Sequence, residues 1–103
     1  MFVADLHNDV LQRAIIGEDI SKRTENGHSD LVRLKESCID LEVFVVWISG
    51  KNSKERAYLK ANELYDKLEN LEKKNDFIKI TKTLDDIRYT IKNNILATPI
   101  AIE

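Results

Sequence analysis

The 103-residue chain contains one cysteine, one proline and three glycines. Because Cys38 has no partner, an intramolecular disulfide and a cysteine-based metal cage are excluded. Cys38 precedes a predicted strand, and we expect its thiol to be buried. No apolar run approaches the ~20 residues that cross a bilayer, so no membrane segment is predicted. The first residues lack the basic region and cleavage site of a signal peptide. These absences predict a cytoplasmic protein.

The chain also has little net charge. Its 16 Lys and Arg residues and 18 Asp and Glu residues give a formal charge of −2, with both signs interspersed. A nucleic-acid surface needs a basic stripe, so no nucleic-acid partner is expected. Hydrophobic residues make up 43% of the chain, enough for one modest core and not for two domains. We expect residues 1–103 to form a single partial domain.

Apolar periodicity predicts an α/β fold in which strands alternate with helices. Strands are predicted at residues 2–6, 43–48, 77–80 and 95–102, and helices at residues 10–16, 31–36, 53–73 and 83–93. Helix starts are indicated by capping residues, namely Asp30, Asn52 or Ser53, and Thr83 with Asp86 three positions later. Residues 17–29 have no period and are predicted to be a loop. Such alternation is typical of right-handed βαβ units and a parallel sheet.

Polar side chains follow two of the apolar runs. A strand period of two places Asp5, His7 and Asp9 on one face, where imidazole and carboxylate could chelate a divalent metal such as zinc. A polar loop with a capping aspartate has the same composition, and the spacing alone does not separate the two interpretations. Functional residues of parallel sheets gather at the carboxyl ends of the strands, where His7, Asp9 and Glu103 fall.

The segment Asp5-Leu6-His7-Asn8-Asp9-Val10-Leu11 resembles the opening of the membrane (renal) dipeptidase family, zinc metallopeptidases of the amidohydrolase superfamily. Residues 28–36 resemble the next short helix of that family, residues 43–48 its second barrel strand, and residues 100–103 the end of its third strand. The resemblance implies a TIM-type (β/α)8 barrel, of which this chain would be the N-terminal three-strand portion. A whole barrel needs about 250 residues.

The resemblance also implies roles for three residues. His7 and Asp9 match the family's first-strand zinc ligands, and Glu103 matches the carboxylate that bridges two zinc ions. The family hydrolyses dipeptides with a metal-activated water, and its other histidine ligands lie on later strands. His28 is the only other histidine here and does not match a ligand. We therefore expect at most one weak zinc site, a dipeptide as the substrate of the intact enzyme, and no activity from this chain alone.

Two departures from the family pattern are visible in the sequence. Ser37-Cys38 stands where glycines are usual, and the family usually has a glutamine near Glu42. Trp47 lies in the most apolar run and is expected in the core.

A non-enzymatic alternative is a helix-mediated interaction module. In that hypothesis the helix at residues 53–73 pairs with a partner helix through an apolar stripe on one of its faces. The stripe consists of residues spaced 4, 3, 4 and 3 apart, namely Ala57, Ala61, Leu64, Leu68 and Leu71. Packing of this stripe on the chain's own sheet is the better account. Three strands taken from a barrel would also leave free edges beside Val3 and Ile100, so self-association is expected.

Overall fold

The computed structural model describes residues 1–103 and contains five strands and four helices in the predicted alternating order. The strands are β1 (Ala4–Asn8), β2 (Leu41–Val46), β3 (Ile78–Ile80), β4 (Leu96–Thr98) and β5 (Ile100–Ile102). The helices are α1 (Leu11–Ile15), α2 (Leu31–Glu36), α3 (Lys54–Lys74) and α4 (Leu84–Asn93). The first two strands begin two residues away from their predicted starts, while α2 has the predicted bounds.

All strand pairs in the single sheet are parallel. The order is β1-β2-β4-β3, and β5 pairs with β2. Leu41 of β2 pairs with Ala97 of β4, and Phe44, three residues later, pairs with Ile100 of β5, which is also three residues later. The register along β2 is therefore the same for both, and β4 and β5 are one strand interrupted at Pro99. Proline has no N–H to give to the ladder, but its carbonyl still accepts a hydrogen bond from the Phe44 N–H at 3.1 Å.

The sheet has four strand positions, as the four apolar runs predict, which is one more than the three-strand portion implied by the family resemblance. β3 pairs along β4 and covers the outer edge of that half of the interrupted strand. β5 has β2 as its only neighbour, so its outer edge and that of β1 are free.

The capping residues place the helix starts as predicted. The side chain of Asp30 accepts a hydrogen bond from the Arg33 N–H at the start of α2, and that of Ser53 accepts one from the Arg56 N–H at the start of α3. Thr83 and Asp86 form a reciprocal capping box at the start of α4. Side chains that satisfy these free N–H groups stabilise a helix end by about 1 kcal/mol each.

The core lies between the sheet and helices α1, α2 and α3. Leu64 and Leu68 of α3 are buried in it, and Ala61 and Leu71 pack against its rim. The apolar stripe of α3 is therefore occupied within the chain, which leaves the interaction-module hypothesis without its binding face. None of the helices has the length and the apolar character needed to cross a membrane.

Two burial predictions are wrong. Trp47 is 46% exposed because it lies just beyond the end of β2, on the face opposite the one that buries Phe44 and Val46 against the helices. Cys38 is exposed because it lies in the turn between α2 and β2, at the rim of a surface cavity.

Candidate metal centre

The three residues singled out in the sequence lie at the carboxyl edge of the sheet. His7 is in the last part of β1, Asp9 follows that strand directly, and Glu103 follows β5. Since β1 and β5 both run parallel to β2, their carboxyl ends lie at the same edge.

A bulge in β1 decides which side chains of this segment share a face. Asp5 is in register with Glu42 and Asn8 with Phe44, so β1 holds one extra residue between these pairs. Paired residues of parallel strands point to the same face, which puts Asp5 on the helix-covered side with Glu42. The expectation that Asp5 shares a face with His7 is therefore wrong. The Asp5 carboxylate instead accepts a hydrogen bond from the His7 N–H at 3.0 Å.

Backbone hydrogen bonds extend the ladder past β5 and hold Glu103. Its N–H donates to the carbonyl of Val46 at 3.0 Å, and its carbonyl accepts from the N–H of Ile48 at 2.9 Å. Glu103 is thereby fixed against β2 although it lies at the end of the chain.

The imidazole of His7 contacts both carboxylates. Its Nε2 atom lies 3.3 Å from Oδ2 of Asp9 and 3.4 Å from Oε2 of Glu103, and all three side chains are about half exposed. Two atoms bonded at ~2.0–2.2 Å to one tetrahedral ion are separated by about 3.3–3.6 Å. The two contacts thus have the spacing of neighbouring ligands in a zinc shell, and one imidazole with two carboxylates is a donor set that zinc accepts.

The set is not a complete metal site. No group of three or more His, Cys, Asp or Glu side chains has the full arrangement that would hold an ion. The donors fit zinc by chemistry and by the two distances from the Nε2 atom of His7 to the carboxylate oxygens of Asp9 and Glu103.

Trp47 and Glu103 lie side by side at this edge. Extending the register of Val46 with Ile102 by one residue pairs them, so the exposed indole lies on the face that carries the Glu103 carboxylate. The Nε2 amide of Gln12 donates a hydrogen bond to the Trp47 carbonyl at 2.8 Å. A small cavity of about 100 Å³ adjoins Trp47 and Gln12.

Two larger cavities lie away from this edge. One of about 290 Å³ lies between residues 18–21 and α3, and one of about 450 Å³ is lined by Cys38, Phe77 and neighbouring residues. Neither contains His7, Asp9 or Glu103.

Glu42 is an unusual residue that the sequence interpretation did not single out as functional. Its side chain is fully buried, and neither carboxylate oxygen has a hydrogen-bond partner. The pKa of Glu42 is raised to about 7, mainly by burial; the Asn8 amide partly offsets this increase, and the charge of Asp5 adds to it. That amide donates its hydrogen bond to Ser29 rather than to Glu42. The sequence signal that could have indicated Glu42 is the position of an acidic residue directly before the unbroken apolar run at residues 43–48.

The whole chain, residues 1–103, matches the family model described as membrane dipeptidase, peptidase family M19. A metallopeptidase from Rhodobacter sphaeroides, solved with a phosphinate mimic of the dipeptide L-Ala-D-Ala, has the same fold with a TM-score of 0.89 and 20% identity. Dipeptidase AC, described as a metallopeptidase of family M19, has a TM-score of 0.89 and 22% identity. No curated protein sequence matches the chain.

The whole of this chain aligns with 38% of the first structure and 35% of the second, so it spans little more than a third of their length. The likeness confirms the predicted fold, a parallel βα sheet that corresponds to part of a TIM-type barrel. With a family model matched from the first residue to the last, the chain belongs to the membrane dipeptidase family of metallopeptidases.

Proposed function

We propose that this chain contributes part of the metal centre of a zinc-dependent dipeptidase, with His7, Asp9 and Glu103 as ligands. The observation that carries the proposal is the position of the His7 Nε2 atom, 3.3 Å and 3.4 Å from one oxygen of each carboxylate. Membership of a metallopeptidase family supports the same assignment.

Each of the three side chains has a distinct part in this proposal. The Nε2 atom of His7 binds through its lone pair, which requires a neutral imidazole. Asp9 and Glu103 supply negative charge that offsets the charge of the cation. A carboxylate in the position of Glu103, shared between two cations, would also offset their mutual repulsion. Bound zinc supplies the Lewis-acid activation of water needed for peptide hydrolysis.

The proposed substrate class is the dipeptide. One structural neighbour was solved with a phosphinate mimic of L-Ala-D-Ala, and that compound is a dipeptide analogue. In this chain the Trp47 indole offers an apolar surface next to Glu103, while the half-exposed ligands leave the edge open to a small polar molecule.

Zinc titration of the purified chain, followed by calorimetry, tests the proposal. We expect the wild-type chain to bind zinc, and His7→Ala and Glu103→Gln each to weaken binding on the order of tenfold or more, since even outer-shell changes have effects of this size. Matched controls are His28→Ala and Glu25→Gln, which remove an exposed imidazole and an exposed carboxylate from the 17–29 loop.

The controls are expected to bind zinc as the wild type does. Equal affinity of wild type and His7→Ala, with far-ultraviolet circular dichroism showing both folded, would contradict the proposal.

A further inference from the structure

Asn8 lies between two of the proposed ligands, and its side chain makes two hydrogen bonds. Its Oδ1 atom accepts from the Val10 N–H at 3.0 Å, which closes a turn around Asp9. Its Nδ2 atom donates to the Oγ atom of Ser29 at 2.9 Å. The amide therefore fixes the backbone that carries both His7 and Asp9, and anchors it to the distant 17–29 loop.

The 17–29 loop is held together by one guanidinium group. The Nε atom of Arg13 donates to Glu18 at 2.9 Å, its Nη1 atom to the Ser29 carbonyl at 2.9 Å, and its Nη2 atom to Thr24 Oγ1 at 2.7 Å. Its Nη2 atom also contacts the Asn26 carbonyl. Because a guanidinium is planar and its donors are fixed in direction, these contacts define one loop shape.

A buried carboxylate fixes the far end of the same loop. Asp30 has no exposed surface, and its side chain accepts from the Thr24 N–H at 3.1 Å and from the Arg33 N–H at 2.8 Å. Burial opposes ionisation of Asp30, but these backbone donors and the charge of Arg33 outweigh it, so its pKa is lowered. Ser29 is thus held from both sides, by Arg13 through its carbonyl and by its buried neighbour Asp30.

We propose that Asn8 and Ser29 are positioning residues for the metal centre, through which the Arg13-centred loop sets the orientation of His7 and Asp9. This inference rests on the proposed function. A rotation of the backbone at Asn8 would displace the side chains of His7 and Asp9 together. Metal ligands must be held to within about 0.5 Å for a site to form. The hydrogen bond to Ser29 opposes that motion.

The test measures zinc affinity and the visible spectrum of bound Co²⁺ in the full chain. We expect Asn8→Ala and Ser29→Ala each to weaken zinc binding roughly 10–100-fold, as loss of outer-shell partners does, and to change the Co²⁺ absorption bands. Ser29→Thr keeps the hydroxyl and should restore both readouts. The double variant should be no weaker than Asn8→Ala alone, because both changes remove one shared hydrogen bond.

Two design features separate positioning from general destabilisation. Ser29→Ala leaves the Asn8 bond to the Val10 N–H intact, so it tests the link to the loop even where Asn8→Ala unfolds the chain. Asn62→Ala also removes a hydrogen bond donated by a side-chain amide, here to the Tyr58 carbonyl on the surface of α3, and is expected to leave zinc binding unchanged.

Zinc affinity and Co²⁺ spectra of Ser29→Ala equal to those of the wild type would overturn the inference, as would losses from the two variants that add. Equal binding by wild type and His7→Ala is a different result, which overturns the proposed function and this inference with it.

Discussion

The Nε2 atom of His7 lies 3.4 Å from the Oε2 atom of Glu103, although the two residues are near opposite ends of the chain. Their strands are not neighbours, because β1 and β5 pair with opposite sides of β2. The contact therefore forms only when all three strands are in register. A metal that binds the folded chain at this point and not the unfolded one would stabilise the sheet, and the stabilisation would grow with the logarithm of the metal concentration once that exceeds the Kd.

The isolated chain is expected to hydrolyse dipeptides only at the background rate. It offers one imidazole to the proposed centre, and His28 is exposed in a loop where no group of metal-binding side chains forms. A peptidase site with two cations needs more ligands than three side chains supply. Release of amino acids from L-Ala-D-Ala in the presence of zinc measures this, and turnover by the pure chain that disappears in His7→Ala would contradict it.

Burial of Glu42 is expected to make stability fall as the pH rises. Its pKa in the folded chain is about 7, against an ordinary value of 4.5. Below pH 4.5 both states are protonated and there is no penalty; between 4.5 and 7 the unfolded state ionises first, so the free energy of unfolding decreases, and above 7 it levels off. The total decrease corresponds to roughly 3 kcal/mol.

Urea unfolding of wild type and Glu42→Gln at a series of pH values checks this effect. The neutral amide should abolish this component of the pH dependence and make the variant more stable than wild type at pH 8. Glu63→Gln, on the exposed surface of α3, is the control and should follow the wild type. Parallel curves for wild type and Glu42→Gln would show that Glu42 does not titrate in this way.

Gly27→Ala is expected to destabilise the chain by about 1–2 kcal/mol, the cost of a left-handed conformation for a residue with a Cβ atom. Gly27 has φ +72°, and an added Cβ would lie 2.3 Å from the Nη1 atom of Arg13. The same change at Gly50, where nothing lies within 4 Å, should be neutral or slightly stabilising. Thermal unfolding of both variants measures the difference, and equal melting temperatures would refute the account of the loop.

The free edges of the sheet are expected to make the chain self-associate. Leu6 in β1 is 71% exposed and Ile102 in β5 is 78% exposed, each beside a row of unpaired backbone groups. Charges on edge strands oppose pairing between chains, so Leu6→Lys and Ile102→Lys should shift the population toward monomer in sedimentation velocity. Leu59→Lys, at an exposed position on α3, should not. A monodisperse wild-type monomer with a sharp cooperative melt in the near-ultraviolet signal of Trp47 would contradict this expectation.

Much of the fold follows from local sequence signals. The three helices that begin with Asp30, Ser53 and Thr83 were predictable because a capping side chain and an apolar period act within a few residues. The meeting of His7 with Glu103 was also predictable, because parallel strands with crossover helices have their carboxyl ends at one edge.

Other features depend on distant partners and could not be predicted. The alternation rule failed at Asp5 because a bulge adds one residue to β1. An unbroken apolar run does not show which face of the strand the helices will cover, so the prediction of a buried Trp47 is wrong. The sequence of the 17–29 loop has no period from which its shape could be predicted. That shape depends on Arg13, whose guanidinium donates to Glu18, Thr24 and Ser29 at separate points along the loop.

An anomalous difference map at the zinc absorption edge, from crystals of the chain grown with zinc, tests whether His7, Asp9 and Glu103 bind one metal ion. We expect a peak bonded to the Nε2 atom of His7 and to the carboxylates of Asp9 and Glu103 at ~2.0–2.2 Å. A map with no peak at the carboxyl edge of the sheet, or with zinc bound instead at His28 or Cys38, would contradict it.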